Sequence, residues 1–139
     1  MARTLLSPRG CFGIAFLGAI LAIGAGWLVV SPNSPVNRSS AIRSTQEWAR
    51  LADFPATVTD FKIASGGSMF TREFQISFRD SPTNIRIWLT ASPGPAAATP
   101  TTDASGWLIY NYPAGGGAVF SEVRVSPSGE EVRIRAYWS

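Results

Sequence analysis

Near the C-terminus, six side chains alternate so that each trio shares a surface: Phe120, Glu122 and Arg124, then Arg133, Arg135 and Tyr137. Side chains on an extended chain repeat every two residues, so each trio lines one face of its strand. The chemistry open to them is recognition. Guanidinium forks match carboxylates, and rings pack or accept a cation, which is the composition of a protein contact surface. Arg72 is a seventh candidate, on the same parity as Phe70 and Phe74. It can stack on a ring near a sheet edge or aim its fork at an anion. Trp107, Tyr110 and Tyr112 offer an alternative chemistry, as flat platforms for cell-wall glycan.

Catalytic constellations are scarce. The chain has no histidine, which removes imidazole-activated nucleophiles, histidine metal sites and imidazole pH switches. Cys11 is the only cysteine, so there is no intrachain disulfide, and a zinc site would need carboxylates alone. No metal or other cofactor is expected. Gly115-Gly116-Gly117 lacks the lysine and hydroxyl residue of a phosphate loop. One carboxylate pair deserves weighing: a hairpin turning at Gly66-Gly67 would set Asp60 opposite Glu73, a geometry that can raise one pKa for acid–base work. Lys62, diagonal to Glu73, favours ordinary surface charge instead, and a carboxylate-dependent hydrolase is the least favoured reading.

Charge narrows the partners. Of the 12 Lys and Arg, Arg3 and Arg9 precede residue 31, and the other ten are balanced by nine acids. Without a basic run or face, no nucleic-acid partner is expected. Eleven of the 12 are arginine, the bias of a G+C-rich bacterial genome.

The elements that would position the candidates follow from periodicity. Phe70 to Arg79 alternates cleanly and predicts a half-buried strand; Phe61 and Ile63 share a parity upstream. With Gly66-Gly67 as a two-residue turn, Ile63 meets Phe70 and Phe61 meets Arg72. Trp107–Tyr112, Ala118–Ser126 and Glu130–Trp138 read as three further strands. A turn at Ser128-Gly129 pairs Val125 with Val132, Val123 with Ile134, Val119 with Trp138, Phe120 with Tyr137 and Glu122 with Arg135. One register thus matches an apolar face and a cross-strand ion pair. Ser44-Thr45-Gln46-Glu47 has the form of a capping box and predicts a short helix near 45–53. Ser81 as cap and Pro82 as first residue predict a second, with Ile85, Trp88 and Leu89 facing inward. Residues 92–106, rich in Ala, Pro and Thr, read as a mobile surface loop.

The expected fold is α+β, in the order α-β-β-α-β-β-β. An antiparallel sheet of about five strands carries one or two helices on one face. The expected core comprises Trp48, Phe61, Ile63, Phe74, Ile76, Phe78, Trp88, Leu89, Val123, Ile134 and Trp138.

Residues 11–30 pass without a charge, and twenty helical residues span about 30 Å of hydrocarbon. The run exceeds a usual signal-peptide apolar region, and cleavage near Gly26 would leave Trp27-Leu28-Val29-Val30 as a greasy N-terminus. A retained single-pass anchor is expected, with secretion after cleavage as the alternative. Residues 1–10 form a basic segment that favours a cytoplasmic N-terminus and an extracytoplasmic domain at 44–139. Gly18, Ala22 and Gly26 form a small-residue line through which such spans can self-associate weakly. Residues 31–43 read as a Pro/Ser-rich tether. Together these features predict a membrane-anchored binding domain that meets another envelope or membrane protein, with a glycan-binding module as the alternative.

Overall fold

A computed structural model describes residues 35–139. The run at 11–30 and the line Gly18, Ala22 and Gly26 lie outside the described residues. The elements run α1 (Pro35–Trp48), β1 (Thr59–Gly67), β2 (Arg72–Arg79), α2 (Pro82–Ala91), α3 (Pro93–Ala96), β3 (Thr101–Thr102), β4 (Leu108–Asn111), β5 (Phe120–Val125) and β6 (Glu131–Trp138). The class is α+β, and every strand pairing is antiparallel, in the order β1-β2-β6-β5-β4-β3. The sheet has six strands, one more than expected. The extra one, β3, pairs with Leu108 and Ile109 and lies inside the stretch read as a mobile loop.

The β5–β6 hairpin adopts the expected register: Phe120 faces Tyr137, Glu122 faces Arg135, Val123 faces Ile134 and Val125 faces Val132. Inward-facing Ile76, Phe78, Val123, Val125, Val132, Ile134 and Ala136 join Ile85 and Trp88 of α2 in one buried cluster. Helix α2 starts as expected, with Ser81 Oγ accepting the Asn84 N–H and Pro82 in the first turn.

Four expectations are corrected. The β1–β2 turn is not at Gly66-Gly67, which instead end β1, with Gly66 facing Glu73 and Gly67 facing Arg72. Residues 68–71 make the turn, held by the Ser68 N–H donating to Thr71 O (3.1 Å) and by the paired hydroxyls of Ser68 and Thr71 (3.0 Å). Ile63 therefore faces Ile76 and not Phe70, a slide of six residues along β2. An even slide keeps each side chain on its face, so the apolar layer survives. Asp60, with φ 50°, sits in a bulge between Thr59 and Lys62 and does not face Glu73; the acid pair does not form.

Second, α1 occupies most of the expected tether and stops at Trp48, inside the span expected to be helical near 45–53. Pro35 fits a first turn, where its missing N–H is not needed. Ala41 (8% exposed), Thr45 (0%) and Ala49 (0%) fall at i, i+4 and i+8 and let the helix lie close against the domain. Ser44 is inside the helix and caps nothing, while Thr45 Oγ1 donates back to Ala41 O (2.8 Å). Arg50, with φ 49°, closes the helix: its N–H donates to Glu47 O and that of Leu51 to Gln46 O, the paired bonds of a Schellman motif.

Third, residues 92–106 are tied down. The last carbonyls of α1 need donors, and three separate segments supply them. Trp48 O accepts from the Gly115 N–H (2.8 Å), Ala49 O from the Tyr112 hydroxyl (2.8 Å) and Arg50 O from the Gly94 N–H (2.9 Å). Ser92 is fully buried, and its Oγ accepts the Ala52 N–H. Fourth, Trp138 is 40% exposed and outside the core.

Candidate functional site

One face of the sheet packs against the helices; the opposite face holds the six alternating residues. Strand register places them in rows. Lys62, Ser77, Arg133, Arg124 and Ile109 cross the sheet in one line. Ala64, Gln75, Arg135, Glu122 and Asn111 form the next, then Glu73, Tyr137 and Phe120. A shallow depression of about 670 Å³ lies over the first two rows, bordered by Lys62, Glu122, Arg124, Glu131, Arg133 and Arg135.

Arg133 and Arg124 stand directly opposite each other, which is unfavourable for like charges. Their surroundings offset it. The Trp107 ring lies 4.5 Å from the Arg133 guanidinium and 5.9 Å from that of Arg124. Glu131 accepts from Arg133 Nε at 2.8 Å, and Asp103 accepts from Arg124. Asp103 is itself built in. Its second oxygen takes the N–H groups of Ser105 (2.8 Å) and Trp107 (3.0 Å), closing the β3–β4 turn and setting Trp107 beneath the arginines. Among the described residues, Arg124 Nε is buried without a hydrogen-bond partner, and Glu122 Oε1 stands 4.0 Å away.

Arg135 corrects another expectation. Although Glu122 faces it, its Nε donates to Glu73 Oε1 at 2.7 Å, diagonally from β6 to β2, while its guanidinium lies 5.6 Å from the Phe120 ring. Such solvated ion pairs contribute only about 0–1 kcal/mol each, so the lattice shapes the surface more than it stabilises the fold.

The Arg135 guanidinium, followed by Gln75, holds the Glu73 carboxyl below its ordinary 4.5. For Asp103 desolvation pushes upward, but the Trp107 and Ser105 N–H groups and Arg124 outweigh it, and its pKa falls below 3.8. A carboxylate whose folded pKa is depressed leaves the unfolded chain holding more protons. The stability it gives is complete above the ordinary value and is lost as pH falls through the folded one. Urea midpoints are therefore expected to drop as pH falls below 4.5, and Glu73→Gln should flatten that drop. A wild-type slope unchanged in Glu73→Gln would contradict the pairing.

The structure thus gathers Phe120, Glu122, Arg124, Arg133, Arg135 and Tyr137 on one face and leaves Arg72 off it. Arg72 lies between Gly67 and Trp138, on the parity of the core residues but exposed, and among the described residues it meets no ring or acid. Tyr110 and Tyr112 also turn away from the site and pack on the core, and burial pushes the Tyr112 phenol well above its ordinary value. Asp103 and the bridging position of Trp107 went unread; the signal for the turn was Asp103-Ala104-Ser105-Gly106, an aspartate that can accept from the N–H groups ahead of it. Among the described residues no three Cys, His, Asp or Glu side chains come together to hold a metal ion. No protein-family profile, curated protein or solved structure matches the chain. A second depression, of about 350 Å³, lies on the helical side between α2 and residues 52–57, lined chiefly by Pro55, Ile87, Trp88 and Ala91.

Proposed function

We propose that the chain is a single-pass, membrane-anchored binding domain of the bacterial envelope, N-terminus cytoplasmic, that grips another envelope or membrane protein through the outer sheet face and catalyses nothing itself. The observation that carries this reading is the arginine–aromatic lattice. Three guanidinium–ring contacts, Arg133 and Arg124 with Trp107 and Arg135 with Phe120, stand on a sheet face that no described helix covers. Arg and aromatic residues are enriched at protein contacts. Holding the arginines on strands and pairing them with rings in advance reduces the side-chain entropy lost on association. The alternating charges of Glu73, Glu122, Glu131 and the arginines suit a partner of mixed charge, to which they would give register.

The glycan reading is weaker. Tyr110 and Tyr112 pack on the core, and Arg133 already occupies one face of Trp107. The carboxylate hydrolase loses its acid pair, since Asp60 and Glu73 are not opposed.

The test is co-purification of the full chain from native membranes. Arg124→Glu combined with Tyr137→Ala is expected to lose the protein partner, while Ile87→Ser on the helical side keeps it. A double variant that retains every partner would remove the proposal.

A further inference from the structure

The sheet has two edges, and they differ. The β3 edge is only two residues long, Thr101–Thr102. The β1 edge runs from Thr59 to Gly67, and among the described residues no strand pairs with its outer side. Its hydrogen-bonding phase follows from the hairpin. The Ser68 N–H donates to Thr71 O, so Ser68 and Thr71 are a hydrogen-bonded pair. Such pairs alternate with non-bonded ones along an antiparallel ladder. Gly66 and Ala64 therefore bond to Glu73 and Gln75, while Gly67, Ser65 and Ile63 turn their N–H and C=O groups away from β2. Phe61 agrees with that phase, since its carbonyl accepts from Arg38 Nη2 (3.5 Å).

A free edge is a template for another strand, and folded proteins blunt it with charge, proline or a bulge. Here β1 is blunted only at its start, by the bulge at Asp60 and by Lys62. From Ile63 to Gly67 the register is unbroken, with neither charge nor proline. The side chains there are small. Ala64, Ser65 and Gly66 are exposed, and a Cβ on Gly66 would meet open space. Both faces of the edge thus have room for large side chains from a neighbouring strand.

We propose that β1 takes up an extended segment of a partner protein as an additional antiparallel strand, with bulky side chains over residues 64–67 and a carboxylate at the Lys62 end. In this mode main-chain bonds give affinity and the spaces for alternate side chains give specificity. A second copy of β1 fits less well. Two-fold pairing about Ser65 sets Ala64 against Gly66 and Ser65 against itself, so small residues meet small ones and both faces stay unfilled. Charge points the same way. Arg38 and Lys62 flank the start of the open stretch and pair with no acid among the described residues, and the same two-fold sets Lys62 against Ser68. A foreign carboxylate supplies what the copy lacks. The outer-face depression also reaches this edge, where Lys62, Ile63 and Ala64 line it. The edge adds a second contact to the outer face and is independent of it, since main-chain pairing needs none of the outer-face arginines.

The test is residue-resolved hydrogen exchange on the full chain in mild detergent, with a peptide of alternating Val and Thr that ends in two Glu. Antiparallel pairing carries those acids to Lys62 and Arg38. In the free chain the Ile63, Ser65 and Gly67 amides are expected to exchange fast, and those of Ala64 and Gly66 slowly. With about nine-tenths of the chain loaded, exchange at 63, 65 and 67 is expected to slow about tenfold, following the fraction left open. The same peptide N-methylated throughout its backbone is expected to slow none of them. Lys in place of Glu is expected to weaken binding about tenfold, because like charges then meet at Lys62. Ser65→Pro removes one outward donor and leaves the bonds to β2, so it is expected to abolish the slowing at 63 and 67 while Ala64 and Gly66 stay protected. Amides at 63, 65 and 67 that the peptide leaves unchanged overturn the proposal, as does equal slowing by the N-methylated peptide. Equal binding of the lysine peptide overturns the acidic partner. Slow exchange at all three positions in the free chain also overturns the proposal: a rise with protein concentration means a second copy on the edge, and no dependence on it means a segment of the chain itself.

Discussion

Phe78→Ala is expected to lower the unfolding free energy by about 3–5 kcal/mol, the usual cost of emptying an aromatic site in a core. Phe78 is 1% exposed and sits among three other rings. Phe54 lies 5.5 Å away edge-on, Trp88 5.4 Å edge-on and Phe61 6.5 Å in a near-parallel stack. The neighbours are themselves fixed. Trp88 donates its indole N–H to Ala52 O, and Phe54 stacks on Trp88 at 5.9 Å, so little can collapse into the void. A domain of this size has only about 5–15 kcal/mol to lose. Urea unfolding of the full chain measures the shift. Phe70→Ala serves as contrast: at 76% exposure it is expected to change stability by less than about 0.5 kcal/mol. A Phe78→Ala midpoint close to wild type would mean that the aromatic cluster is not the core.

Gly94→Ala is expected to cost about 2–3 kcal/mol, at the upper end for overpacking. Gly94 is buried at the start of α3, where its N–H donates to Arg50 O. A Cβ there would overlap the Tyr112 ring and lie 2.7 Å from Ala49 O. It would therefore push on the hydroxyl that satisfies Ala49 O and on the segment that satisfies Arg50 O. Both act at the C-terminal end of α1, where unmet carbonyls are costly. Thermal unfolding should show the loss, and Ala96→Gly, exposed in the same short helix, should not approach it. An unaffected Gly94→Ala would mean that residues 92–98 do not clasp the helix end.

The two predictions mark where sequence pattern was legible and where it was not. The β5–β6 register could be read because both strands alternate and Pro127-Ser128-Gly129 leaves little freedom to slip; the observed pairing keeps Val123, Val125, Val132 and Ile134 on one buried face. The six outer-face residues came with it. The β1–β2 register could not be read, because Gly66-Gly67 resembles a turn while hydroxyls at Ser68 and Thr71 make the real one. Parity survived that slide, and so did the core positions of Ile76 and Phe78. Helix α1 was missed at its start because Ala41, Thr45 and Ala49 bury small side chains that leave no strong apolar stripe. Residues 92–106 were misread because their order comes from single contacts that composition does not encode: Gly94 and Ser92 bonded to the segment that ends α1, the short β3–β4 pairing, and the Asp103 turn. Trp138 has the right parity for the core but is left exposed at the end of its strand. The partners of Arg135 and Arg124 depended on diagonal reach from β6 to β2 and on the β3–β4 turn, neither visible in a strand's own alternation.

Site-specific photo-crosslinking in native membranes tests the binding face most directly. A photoreactive phenylalanine placed at Tyr137, among the arginine–aromatic pairs, is expected to form a discrete protein adduct that Arg124→Glu suppresses. The same group at Ile87, on the helical side, is expected to form none. Equal labelling at both positions, or an adduct at 137 indifferent to Arg124→Glu, would contradict the assignment of the outer sheet face as the binding surface.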